Sequence, residues 1–127
     1  MVTARSETAP YRTQFVSDGH QAHADASIAK GGAGAGFGPH ELLEASVASC
    51  INIWLRMHAE RRGIPLSGLT AEVRLNRDVP GETIFECAVD LQGSLTPEQG
   101  RELQRQIVAC PVSQTLLKTI SFRDTSI

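Results

Sequence analysis

The sequence predicts an α+β fold in which antiparallel strands accompany one long apolar helix. Three observations carry that reading. Apolar and polar residues alternate in paired runs separated by turn residues, the pattern of half-buried strands joined as hairpins. The stretch from Pro39 to Gly63 carries apolar side chains around nearly its whole circumference, with helix signals at both ends. A second helix is announced by Thr96-Pro97-Glu98-Gln99, a capping box with proline at the first helical position.

Residues 1–10 are expected to form a loosely ordered N-terminus. From Tyr11 to Ala26 the chain reads as a hairpin: Tyr11, Thr13 and Phe15 alternate with Arg12 and Gln14, and Asp18-Gly19 supplies a turn that tolerates positive φ. Gly31 to Gly38 is glycine-rich. It lacks the lysine and Ser/Thr ending of a phosphate-binding P-loop, so it is expected to be a loop packed near the active site.

Pro39 suits a first helical turn, Glu41 and Glu44 complement the positive end of the helix dipole, Arg61 and Arg62 its negative end, and Gly63 a C-terminal stop. Between them Leu42, Leu43, Val47, Ile51, Ile53, Trp54, Leu55 and Met57 leave little polar surface, which predicts burial on most sides. Leu69, Ala71, Val73 and Leu75 mark one strand; Phe85, Cys87, Val89 and Leu91 mark another, with Arg77 to Gly81 as the turn. The capped helix is expected to run toward Ala109 with Leu103 and Ile107 on one face. Ile120 and Phe122 mark a closing strand.

At 127 residues the chain is most simply one domain, 1–127, and at this size dimerisation would help it stay folded. A net charge of −2 gives no support for binding nucleic acid or an anionic membrane. Met1 to Ser6 shows no apolar leader, and Arg56 and His58 interrupt the most apolar stretch, so neither a secretory signal nor a membrane span is predicted. Three cysteines, an odd number, argue against a disulfide framework and for reduced thiols in the cytoplasm.

Free cysteines are usually small buried hydrophobes. Cys87, sharing a strand face with Phe85, Val89 and Leu91, fits that role. Cys50 alone would receive the same assignment. Cys110 differs: placed just before Pro111, it is expected at or near a helix N-terminus, where unpaired N–H groups stabilise a thiolate. Cys50 lies about three turns from its own helix start, so its activation must come from a neighbour brought by the fold. His20 and His23, three apart on a strand, face opposite ways, and no histidine stands in zinc spacing with the thiols, so no metal is expected. Ser49 and Ser113 have no apparent His/Asp relay, which argues against serine hydrolysis.

The string Gly36-Phe37-Gly38-Pro39-His40-Glu41-Leu42-Leu43-Glu44-Ala45-Ser46-Val47-Ala48-Ser49-Cys50 resembles the central-helix motif of the OsmC/Ohr family, and Cys110-Pro111-Val112-Ser113-Gln114-Thr115-Leu116 resembles its second motif. The likeness spans Tyr11 to Phe122 and is nearest to the OsmC-like redox protein branch. It implies an OsmC-like fold, with antiparallel sheets wrapped around a long central helix in an intertwined homodimer.

The activity it implies is that of a thiol peroxidase, active in oxidative-stress defence, that reduces organic hydroperoxides with no cofactor. Cys50 attacks the peroxide, Cys110 resolves the sulfenic acid as a disulfide, and an external dithiol reduces it. Peroxidatic members pair a glutamate near the helix start with a hairpin arginine. Here His40 holds the glutamate's position and Val16 to His20 contains no arginine, so Glu41, about 100° away around the helix, and Arg12 are the nearest substitutes. Ten helical residues rise about 15 Å, so His40 would contribute indirectly or from a second subunit. Leu42, Leu43, Trp54 and Phe37 are expected to line an apolar pocket. The alternative function is a non-peroxidase OsmC-like protein that binds a small apolar ligand.

Overall fold

In the computed structural model, which describes residues 1–126, Asp18 and Gly19 take φ of 48° and 81°. Positive φ at both central positions gives the turn a twist that matches its flanking strands. It joins β2 (Thr13–Ser17) to β3 (His20–Ala24) in antiparallel register, with Phe15 opposite Ala22. Residues 3–6, expected to be loose, form β1 (Thr3–Ser6) and pair antiparallel with β2. Four residues are too few to show an alternation in sequence; the ladder with β2 orders them. Glu7 follows, its carboxylate 2.8 Å from Arg12 Nε and 3.1 Å from His23 Nδ1.

The glycine-rich segment is organised by one acid. Asp25, 5% exposed at the end of β3, accepts hydrogen bonds from the backbone N–H of Ala26 (2.8 Å), Ala33 (3.1 Å) and Ala35 (3.1 Å). The Ala33 and Ala35 N–H groups, which in a P-loop would face a phosphate, are spent on this carboxylate. Glycine is required at two points of close approach. A Cβ on Gly32 would lie 2.1 Å from Ala26 O, and one on Gly36 would lie 2.5 Å from His23 O.

α1 (Pro39–Arg62) has the predicted bounds. Gly63 takes φ of 63°, its N–H reaches Glu60 O, and the Ile64 N–H reaches Ala59 O at 2.9 Å. This is the Schellman pattern, closed by burial of Ile64 beside Ala59. The chain divides into two compact units, Met1–Leu43 and Glu44–Ile127, and α1 passes through the boundary.

The second unit holds the core. Val47, Ile51, Leu55 and Ala59, spaced four apart, are buried along one stripe of α1 and cluster with Leu103 and Cys110. β4 (Leu66–Asn76) and β5 (Ile84–Gly93) pair antiparallel, Leu69 opposite Leu91 and Val73 opposite Cys87. Their alternate residues Leu69, Ala71, Val73, Phe85, Val89 and Leu91 pack on that cluster. Two polar clamps fix α1 to β4: the Leu75 N–H donates to Glu44 Oε1 at 2.7 Å, and Asn52 Nδ2 donates to Leu69 O at 3.1 Å. α2 (Pro97–Gln106) has its capping box, with Thr96 Oγ1 and the Gln99 side chain bonding each other's backbone N–H. A tighter turn, Ile107–Ala109, replaces the last part of the predicted helix before α3 (Pro111–Leu116).

Three expectations are corrected. α1 is covered on one stripe and not on most sides, and Ile53 and Met57 remain 55% and 49% exposed. The reason is supply: this unit provides one two-stranded sheet and two short helices. Cys87 is exposed even though it shares a strand face with half-buried Phe85, Val89 and Leu91. Ile120 and Phe122 form no strand among the described residues, and Phe122 is 98% exposed.

The Ala35 N–H holds the Asp25 carboxyl below the ordinary carboxylate range, helped by Ala33, Ala26 and the Arg12 charge and opposed by burial. A carboxylate favoured in the folded state adds stability above its unfolded pKa and loses it as pH falls through the folded value. Asp25→Asn is therefore expected to unfold at lower urea than wild type at neutral pH, the gap closing as the solution is made acid. Equal midpoints at neutral pH would remove Asp25 from this role.

Candidate active site

Cys50 lies on α1 one residue before fully buried Ile51, at the margin between the core stripe and the open face, and is partly exposed. Cys110 ends the turn after α2 and serves as N-cap residue of α3, with extended backbone (φ −61°, ψ 145°) and no exposed surface. The chain is held in this corner by its own side chains. Gln114 Nε2 donates to Val108 O at 2.8 Å, and Thr115 Oγ1 donates to Pro111 O at 3.0 Å.

The helix start at Pro111 serves the other thiol from the one expected. Cys110 makes no side-chain bond to the α3 backbone. Instead the Val112 N–H, unpaired within its own helix, donates to Cys50 Sγ at 3.4 Å. Cys110 Sγ pairs with Ser113 Oγ at 3.0 Å. Burial nevertheless pushes the Cys50 thiol up from its ordinary pKa; the Val112 N–H works against that shift and the Cys110 thiol adds to it.

Beside Cys50 lies an open groove of about 380 Å³, walled by Ile53, Trp54, Met57, Pro111 and Val112. Of the four residues expected to form an apolar pocket, Trp54 lines it. Its ring is fixed by Nε1 donating to Gln106 Oε1 at 3.3 Å and by the Arg61 guanidinium 5.4 Å over its face. Phe37, Leu42 and Leu43 belong to the first unit, as do the expected supporting residues. His40 and Glu41 are exposed in the first turn of α1, and Arg12 is ion-paired with Glu7.

His58 is tied into α2. Its Nε2 lies 3.0 Å from Glu102 Oε1, which also accepts from Arg62 Nε at 2.8 Å. These contacts, His58 first and Arg62 second, hold the Glu102 carboxyl below its ordinary pKa. Sequence reasoning missed both this triad and the Val112 donor. The triad had a signal, since His58 and Arg62 are four apart on one helix face; a backbone donor has none.

The helix-borne thiol, the enclosed thiol beside it and the apolar groove define a class: α+β proteins with paired cysteines at the edge of the core. A family model for OsmC-like proteins matches residues 31–123, and the chain belongs to that family. Among solved structures, it resembles an OsmC-like protein from Mycoplasma pneumoniae at 21% identity, covering 91% of this chain and 85% of that one (TM-score 0.76). A candidate osmotic stress induced and detoxification response protein from Psychrobacter arcticus is 24% identical over 90% of this chain and 85% of that one (TM-score 0.75). The organic hydroperoxide resistance protein OhrB of Bacillus subtilis is 23% identical over 94% and 90% (TM-score 0.62). No curated protein matches the chain in sequence. Among the described residues, no helix is long and apolar enough to cross a membrane.

Since burial is the largest influence on Cys50, its alkylation by iodoacetamide, followed in a Cys87→Ser background, is expected to rise with a midpoint above that of a free cysteine. Val112→Pro, which deletes the N–H, should move that midpoint further up. A midpoint at or below the free value would show that the site activates Cys50 without further help.

Proposed function

We propose that this chain is a cysteine-based peroxidase that reduces organic hydroperoxides in oxidative-stress defence. The observation that carries the reading is the asymmetry of the thiols. Cys50 opens on an apolar groove under a backbone N–H donor, and Cys110 is enclosed beside it. The likeness to the hydroperoxide resistance protein of Bacillus subtilis supports the substrate class.

The chemistry balances in three steps. Cys50 thiolate attacks the peroxide O–O bond, the alkoxide leaves and takes a proton, and Cys50 becomes a sulfenic acid. Cys110 sulfur attacks the Cys50 sulfur, the S–O bond breaks, and water departs with the Cys110 proton, leaving a disulfide. An external dithiol reduces that disulfide by exchange, becoming a disulfide itself. A reducing compartment, the cytoplasm, suits such a cycle. The working form in this proposal is a homodimer, supported by the exposed Ile53 and Met57 on α1 and by Leu117, Ile120 and Phe122 beyond it.

A second reading has its own observation. The raised Cys50 pKa and the engagement of Arg12 with Glu7 suit a protein that binds a small apolar ligand in the groove without turnover.

Reduced protein titrated with cumene hydroperoxide is expected to form a stoichiometric Cys50–Cys110 disulfide, read by thiol trapping and peptide mass spectrometry. Cys50→Ser should bring turnover down to background, and Cys110→Ser should accumulate a sulfenic acid that dimedone captures. Wild type and Cys50→Ser turning over equally would sink the proposal. A saturable apolar ligand that raises the melting temperature, with slow and unselective thiol oxidation, favours the second reading. Sedimentation equilibrium is expected to give twice the chain mass; a monomer at micromolar concentration rules out the dimer.

A further inference from the structure

Resolution of a Cys50 sulfenic acid asks something of Cys110 that its setting makes difficult. As its sulfur bonds to Cys50, the Cys110 thiol must release a proton, and the departing hydroxyl must gain one. Cys110 has no exposed surface, so water cannot take that proton directly. The titratable groups acting at this corner are themselves thiols, Cys50 from α1 and Cys87 from β5, and a neutral thiol is a poor base.

One hydroxyl is in place. Ser113 Oγ lies 3.0 Å from Cys110 Sγ, and Ser113, unlike Cys110, keeps some exposed surface. The pair is not a helix cap, because the Cys110 side chain makes no bond to the α3 backbone. Its geometry is maintained by the Gln114 N–H donating to Cys110 O at 3.0 Å and by the Thr115 and Gln114 side chains already described. A hydroxyl donates and accepts at once, so it can take a hydrogen bond from the thiol while giving one outward.

We propose that Ser113 is the proton relay of the resolving thiol: its hydroxyl accepts the Cys110 proton as the S–S bond forms and passes its own outward to solvent, while the hydroxyl leaving partly exposed Cys50 takes a proton from water and departs as water. The inference rests on the peroxidase reading. Ser113 acts in the second step alone, after the peroxide has been reduced at Cys50.

Single-turnover kinetics test it. Reduced wild type, S113A and S113T are each mixed with one equivalent of cumene hydroperoxide, and sulfenic acid and disulfide are quantified over time by dimedone capture and alkylation. S113A is expected to consume peroxide at the wild-type rate but to form disulfide about a hundredfold more slowly, the low end of general acid–base effects. Its deficit should narrow as pH rises and the thiolate forms unaided, and S113T should recover most of the rate. S113A resolving as fast as wild type overturns the relay. A deficit constant with pH, or one that threonine does not relieve, assigns Ser113 a packing role and overturns it as well. Wild type forming no Cys50–Cys110 disulfide overturns the peroxidase reading itself, and the relay with it.

Discussion

Everything at the thiol corner depends on how the α2–α3 segment is fastened to one helix. The stripe Val47–Ile51–Leu55–Ala59 buries against Leu103 and Cys110, so the enclosed thiol is also a core residue. Burying Val47, Ile51 and Leu55 is worth about 1.5–3 kcal/mol each, but such packing is non-directional and does not set which atoms face each other. Direction comes from polar contacts along the adjoining face of α1: Trp54 to Gln106, and His58 and Arg62 to Glu102. Residues 54, 58 and 62 continue the row that begins at Cys50, at four-residue spacing. The same row that aims Cys50 at α3 thus holds α2 in register, and the Val112 N–H meets Cys50 Sγ as a consequence.

The glycine-rich segment shows the same logic with different parts. Its backbone carries donors that need acceptors; one Asp25 oxygen takes two of them, from Ala33 and Ala35, and the other takes the Ala26 N–H that precedes the segment. A loop of this composition would sample many conformations in isolation; one buried carboxylate selects among them.

Much of this was legible in sequence, and what was not has physical causes. The hairpin turn, both ends of α1 and the capping box at Thr96 were readable because each is a local backbone requirement written in one or two residue types. The two motifs also placed Cys50 and Cys110 in one site. The Val112 donor was not legible, because every residue except proline has a backbone N–H. Cys87 and the segment around Ile120 misled for another reason. Alternation says which side of a strand a residue takes, but burial depends on whether this chain covers that position, and at Cys87 and Ile120 it does not. Asp25 was readable in retrospect, as an acid at a strand end followed directly by a donor-rich glycine segment.

In the proposed cycle the two thiols face opposed demands. A peroxidatic thiol needs access and a stabilised anion; a resolving thiol needs proximity and protection from the oxidant. Burial at the edge of the core meets the second set fully at Cys110 and the first only in part at Cys50, whose pKa is raised despite the Val112 donor. Desolvation and one neutral N–H act in opposite senses, and desolvation is the larger. In the proposed cycle, attack would therefore draw on a minor thiolate fraction. The order of events in that cycle would follow from exposure and not from acidity. A hydroperoxide would meet Cys50, which is partly exposed beside the groove, before Cys110, which has no exposed surface, so oxidation would begin at the accessible sulfur.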